Sequence, residues 1–393
     1  MKKAKLTLLA MSASFAAMAQ QDPDLTDAIL NHKNGLLDKA RVSIEKAIVK
    51  DKVYTKPKGW YERGAIYIDI VNTQLPAFQG LAGDSGASVA YKSFKKAIEL
   101  DKPDGSYAKD AKANMENVWV GVLNTAIKFD TEKKHKEAID NYRLAMEMKP
   151  EDTLAYRNAT YSAVDLNDYP QAKTYYDKLV TLKYKNLGMY KYMADFAQQN
   201  KKFDDALAIL AQGRKDFPDN KNLLIDELNI YLTQNRSAEA KAKLDEAIKL
   251  DPSNTSLYLV KGDMLSKEAS TKKAPAEAKA LNDEALSLYN KALAVDSMSF
   301  EGNFNVGTFY YNQGSDLFNK ANKMDLATYQ RNGKKLETEA KGKMAQAVPY
   351  FEKAHKTQPK DVETLKVLSK LYGYLKRADK IAEVDEKLKA LGK

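Results

Sequence analysis

Three observations predict an all-α chain built as an array of antiparallel helix pairs. Ala138, Ala172, Ala206 and Ala240 stand 34 residues apart each time. Behind each alanine the same order of small and large side chains recurs, and after three of them it closes on a proline: Pro150, Pro218 and Pro252. Composition agrees, with 44% hydrophobic residues interleaved with 30% charged ones, as amphipathic helices with solvated outer faces require. In such an array each unit packs only on its neighbours, so 393 residues count repeats rather than globular domains.

The pattern reads Ala138-x3-Tyr142-x2-Ala145-x4-Pro150, then Ala172-x3-Tyr176-x2-Leu179. It continues as Ala206-x3-Leu210-x2-Gly213-x4-Pro218 and Ala240-x3-Leu244-x2-Ala247-x4-Pro252. This resembles the tetratricopeptide repeat (TPR) family, in which each unit is a helix A and a helix B. The resemblance implies a TPR-type α-solenoid, a right-handed superhelix of about 8–9 repeats. It also implies large residues at positions 4 and 11 of helix A and 24 of helix B, with small ones at 8, 20 and 27 where the helices approach.

Each element can be tested against that frame. The first unit is weak and suits an N-terminal cap, with Leu25–Lys33 as helix A and Ala40, Ile44 and Ala47 on helix B. The second carries Trp60, Gly64 and Tyr67, then Ala90, Phe94 and Ala97. A long helix, roughly Tyr107–Phe129, opens the third, and Trp119 within it is expected to pack against unit two. Units four to six keep the uninterrupted period. The seventh has Tyr258, Gly262 and Leu265, then Ala285, Tyr289 and Ala292. Val306, Gly307 and Tyr310 of the eighth precede Ala347, Phe351, Ala354 and Pro359. Leu365, Leu368 and Tyr372 close the chain with a lysine-rich helix whose apolar face is Ile381, Val384 and Leu388.

Departures from the period locate three insertions. From position 4 to position 20 an uninterrupted unit needs 16 residues, whereas Trp60 to Ala90 takes 30, Tyr258 to Ala285 takes 27 and Asn303 to Ala347 takes 44. The extra residues, about 74–88, 268–280 and 314–343, fall between helices A and B of their own repeats, so all three should leave one edge of the array. The glycine-rich first insertion reads as a loop. In the third, Leu317, Ala321 and Met324, then Leu336, Ala340 and Met344, keep helical spacing and predict a hairpin, either extra packing or a docking arm.

The N-terminus has the form of a secretory signal: Lys2, Lys3 and Lys5, an apolar Leu6–Phe15, and Ala17-Met18-Ala19 before Gln20. Residues 1–19 are therefore expected to be removed, leaving one solenoid over 20–393. Absence of cysteine excludes disulfides, thiolate metal sites and a lipoprotein anchor, and suits a bacterial periplasm or surface. The net charge of +10 falls to +7 without the three signal lysines, a mild excess that argues against nucleic acid as partner. No later run approaches the roughly 20 apolar residues of a membrane span. Peripheral association with the envelope stays open, and so does a surface or extracellular location.

Most candidate chemistry fails on context. Gly83-Asp84-Ser85-Gly86 resembles the serine-protease nucleophile motif, but that chemistry needs a histidine base and a buried aspartate on a β-barrel. His32, His135 and His355 are too scattered for a local metal motif, and His135 among lysines at an exposed turn is a poor cation ligand. No phosphate loop, zinc helix or calcium loop is present, and no catalysis and no cofactor are expected. Tyr67, Tyr142, Tyr176, Tyr231, Tyr289 and Phe351 fall at core positions.

What remains is the concave face. The TPR resemblance assigns it Asn124 in unit three, then Arg157, Asn158 and Tyr161 in unit four, and Lys191, Tyr192, Asp195 and Gln198 in unit five. It adds Asp226 and Asn229 in unit six, and Phe304, Asn305, Thr308 and Tyr311 in unit eight. Some TPR domains hold a peptide carboxylate through Lys and Asn at positions 5 and 9. Here Lys191 is followed by Asp195 and Arg157 by Tyr161, so that clamp is not supported. The expectation is an exported scaffold that binds a protein or peptide. The alternatives are an envelope glycan or peptidoglycan binder using groove tyrosines and lysines, and an enzyme with an unrecognised pocket.

Overall fold

A computed structural model describes residues 22–393. The predicted signal segment and its cleavage site lie outside the described residues. Among those described, all regular structure is helical, and the chain divides into two compact units, one ending at Lys202 and the other spanning Phe203–Lys393.

The first unit contains α1 (Pro23–Lys33), α2 (Leu37–Ile48), the short α3 (Asp51–Tyr54), α4 (Pro57–Asn72), α5 (Gly86–Leu100) and α6 (Ser106–Thr131). It continues with α7 (His135–Met148), α8 (Thr153–Asp165), α9 (Tyr169–Thr181) and α10 (Leu187–Gln199). Sequential helices pack as pairs, and α4 also lies beside α6, so helices A of successive repeats are neighbours. The second unit contains α11 (Phe203–Asp216), α12 (Lys221–Thr233), α13 (Ser237–Leu250), α14 (Thr255–Thr271), α15 (Pro275–Val295) and α16 (Phe300–Asn322). After it come α17 (Leu326–Thr328), α18 (Lys334–Thr357), α19 (Val362–Tyr374) and α20 (Ala378–Ala390). Its pairs are α12/α13, α14/α15, α16/α18 and α19/α20, and α14 touches α16 in the same helix-A contact.

Local chemistry sets where helices start and stop. Asp152 caps α8 by accepting from Leu154 N–H at 2.8 Å, and Asp361 caps α19 by accepting from Thr364 N–H at 2.7 Å. Each such cap is worth about 1 kcal/mol. Pro57 and Pro275 open α4 and α15, where a missing N–H costs nothing. Many A-to-B turns end in a left-handed residue without being glycine: Lys133, Asn167, Asn235 and Lys376 have φ of 60°, 55°, 53° and 58°. The next amide then reaches back to a helix carbonyl, as Lys134 N–H does to Phe129 O at 2.8 Å.

The core is a chain of small clusters rather than one centre. Ile44, Ile48, Val53 and Ile66 form one; Leu224, Leu228, Leu244 and Leu257 another; Met344, Phe351, Leu365 and Leu368 a third. Burying one such side chain contributes about 1.5–3 kcal/mol. Small residues make room for it. A Cβ on Gly64 would sit 2.7 Å from the Phe94 ring, and one on Gly307 would sit 2.8 Å from Phe351. Tyr67, Tyr142, Tyr176, Tyr289 and Phe351 are buried, and Tyr231 is half-buried, packed against a core cluster with the Arg236 guanidinium 4.7 Å from its ring centroid.

Each lengthened repeat solves its extra residues differently. Between α4 and α5 the chain turns irregularly, and Phe78, Leu81 and Ala82 tuck back onto the core of the first helices. In the α14/α15 pair the residues lengthen both helices, leaving a short turn. In the α16/α18 pair they build a long antiparallel hairpin. Trp119 on α6 takes the Lys149 ammonium over its ring at 3.8 Å.

Candidate partner-binding surface on the first helices

In the first unit the surface is built by α6, α8 and α10. Buried Ala155, Ala159 and Ala163 hold one face of α8 against its neighbours, and the helical period turns Arg157, Asn158 and Tyr161 away from that face. Arg157 and Asn158 are half-buried, and Arg157 Nε donates to Asn158 Oδ1 at 3.3 Å. Tyr161 is 38% exposed and meets Tyr192 of α10 edge to face, with ring centroids 5.1 Å apart and planes at 69°. Burial, then the charge of Asp165, raises the Tyr192 hydroxyl above its ordinary value. Lys191 and Gln198 are half-buried, and Asn124 and Asp195 are exposed.

Beneath this surface lies a polar knot that the sequence did not reveal. Asp130 accepts from Tyr142 Oη at 2.7 Å and from Ser162 Oγ at 2.8 Å, and lies 3.1 Å from His135 Nδ1. It pins α6, α7 and α8 together. His135 is therefore half-buried against a carboxylate, not free at an exposed turn. Serine, histidine and aspartate are all present, but the aspartate sits between the other two. The buried Ser162 hydroxyl has no histidine to take its proton, which is the wrong order for nucleophilic chemistry. Burial and then Asp130 push the Tyr142 hydroxyl far up, so it stays a donor.

In the second unit Asp226 is half-buried and Asn229 exposed on α12. On α16, Asn305 donates through Nδ2 to Asp263 Oδ1 at 2.9 Å, and Tyr289 Oη donates to the same oxygen at 2.8 Å. Asp263 of α14 was absent from the sequence-derived set, although position 9 of unit seven was within the repeat frame. Thr308 is half-buried. Phe304 is drawn inward: it stacks on Phe300 at 5.8 Å and meets Phe351 edge-on at 5.4 Å. Phe304 and Tyr311 both pack against the last core cluster, so neither is a freely presented groove aromatic.

Two further features of this unit escaped sequence reading. Glu227, 2% exposed on α12, accepts from Arg214 at 2.9 Å and from Lys243 at 2.7 Å, and Glu246 engages the same two cations. A cavity of about 350 Å³ opens beside the α12/α13 turn, lined by Tyr231, Leu232, Lys241, Met264, Glu268 and Thr271 among others. Among the described residues no group of His, Cys, Asp and Glu is arranged to hold a metal ion, and no helix is long and apolar enough to cross a membrane.

Residues 197–262 match the family model of the tetratricopeptide repeat. No curated protein matches the sequence. Among solved structures, the chain is similar to YrrB, a TPR protein with an unusual peptide-binding site. The two are 19% identical with a TM-score of 0.35, covering 57% of this chain and 96% of that one. A TPR repeats protein from Bacteroides fragilis is 20% identical with a TM-score of 0.40, over 56% of this chain and 98% of that one. The C-terminal part of a TPR repeat-containing protein from Cytophaga hutchinsonii is 13% identical with a TM-score of 0.33, over 71% and 97%. Residues 197–262 are thus a tetratricopeptide-repeat segment, and the 34-residue frame and the helix pairs that realise it extend beyond that segment on both sides.

Proposed function

We propose that the chain is a non-catalytic scaffold exported to a bacterial cell envelope, where its helix-A surface binds a protein or peptide. The carrying observation is the Tyr161–Tyr192 pair with Arg157 and Asn158 beside it. Helix packing asks for apolar residues, and these positions offer aromatic edges and hydrogen-bonding groups at the surface instead. Affinity on this reading is the sum of modest contacts spread over several repeats. Export rests on the lysine, apolar and Ala-Met-Ala segments of residues 1–19, with 20–393 as the mature array.

A crosslinked pull-down from the native envelope fraction tests the reading, comparing residues 20–393 with a variant carrying Arg157, Asn158, Tyr161 and Lys191 as alanine. Proteins held by the parent and lost by the variant support it. Proteins held equally by both, or no protein at all, overturn the assignment to this surface. N-terminal sequencing of the protein from that fraction tests export: a start at Gln20 is expected, and a start at Met1 overturns it.

A further inference from the structure

The long hairpin of the second unit ends in an apex that repeat packing does not explain. Between α16 and α18 the chain forms α17 and then a wide π-type turn, Tyr329–Gly333. This apex is an ordered structure. Asp325 accepts from Thr328 N–H at 3.0 Å and from its hydroxyl at 2.7 Å. The Tyr329 hydroxyl donates to Glu337, and its ring covers Gly333, where a Cβ would lie 2.2 Å from the ring.

That architecture holds Leu326 outward, 73% exposed, with Ala327 exposed beside it. Lys320, Lys323, Arg331, Lys334 and Lys335 surround it, all exposed, and none of the five makes an ion pair among the described residues. Asp325, already engaged as a cap, is the one carboxylate in the sequence 317–335, which leaves that segment at a net +4. Elsewhere in this unit lysines are commonly matched, as Lys241 is by Glu268 and Lys261 by Asp245.

We propose that this apex docks on an anionic lipid bilayer surface, with the five cations at the headgroups and Leu326 entering the acyl boundary. Each basic side chain near such a surface adds to binding, and a buried apolar side chain adds a further, salt-insensitive part. Leu326 favours lipid over a soluble polyanion, which would engage the cations and leave the leucine in water. The assignment is independent of the helix-A reading, since no residue is shared.

Co-sedimentation of the full chain with vesicles decides it. Binding is expected to vesicles of phosphatidylglycerol and phosphatidylcholine in equal parts, and not to phosphatidylcholine alone. Lys320→Glu/Lys323→Glu/Lys335→Glu should weaken it by about a hundredfold, and Leu326→Ser by several-fold with a steeper salt dependence. The same charge reversals on α19, Lys366→Glu and Lys370→Glu, should leave it unchanged, with circular dichroism confirming that every variant is folded. Absence of binding, binding indifferent to the apex variants, or tighter binding to heparin that ignores Leu326→Ser would overturn the assignment.

Discussion

Tyr161 and Tyr192 meet edge to face across two successive helices A, with ring centroids 5.1 Å apart. Tyr161 remains 38% exposed, so the pair presents an aromatic edge at the surface while tying α8 to α10. Such a pair contributes about 0.5–1.5 kcal/mol beyond area burial. Tyr161→Ala is expected to lower stability by about 1 kcal/mol and to reduce capture of envelope partners much more. Urea midpoints beside the pull-down separate the two, and a loss of capture no greater than the loss of stability would refute a binding role.

Gly262 faces Tyr289 so closely that a Cβ would lie 2.4 Å from a ring atom. The Tyr289 hydroxyl is also held by Asp263, so the ring cannot simply swing aside. Gly262→Ala is expected to destabilise the second unit by about 1–3 kcal/mol. Thermal unfolding of this variant, with Gly342→Ala as a control where nothing lies within 4 Å, checks the expectation.

Glu227 is the buried partner of two cations, Arg214 and Lys243. Glu227→Ala leaves both short of charge and is expected to cost about 3 kcal/mol. A fall of less than about 1 kcal/mol in chemical denaturation would mean that Glu246 and water suffice.

Lys133 and Lys376 hold left-handed backbone that glycine adopts without a side-chain penalty. Lys133→Gly and Lys376→Gly are each expected to raise stability by about 0.5–1 kcal/mol, a gain readable as a higher thermal midpoint.

His355 supplies the pH dependence. Burial first, then the Lys387 ammonium 3.1 Å from Nε2, lowers its proton affinity, with Glu383 pulling weakly the other way. The folded state therefore prefers the neutral ring. Its contribution is present above the unfolded histidine value and is lost as pH falls below about 6.5 towards the lower folded value. The protection of α20 amides, corrected for the intrinsic pH dependence of exchange, is expected to fall between pH 7 and pH 5, and His355→Gln should flatten that fall. Lys387, and then Lys380, hold Glu383 down to about 2, so it stays ionised throughout.

The fold was legible because it is local. Ala138, Tyr142 and Ala145 are neighbours on one helix, and their 34-residue recurrence marks the face on which helix B meets helix A in each repeat. Position 9 of unit seven was legible in the same way, yet Asp263 emerged only when Asn305 and Tyr289 were found bonded to it. The Asp130 knot was not legible at all. Asp130 of α6 joins Tyr142 and His135 of α7 to Ser162 of α8, and no spacing rule links those positions.

The sequence by itself determined the helix pairs and the small-against-large packing of Gly64 on Phe94 and Gly307 on Phe351, since these residues hold the same positions of helix A and helix B even where insertions of different length separate them. Tertiary structure alone decided which predicted surface residues reach solvent. Phe304 and Tyr311 share the helical positions of true surface residues but sit against the last core cluster. Tyr231 has a core position but lines a cavity. The physical reason is that a repeat pattern specifies the face a side chain occupies, whereas its exposure depends on what the adjacent, irregularly lengthened repeats place beside that face.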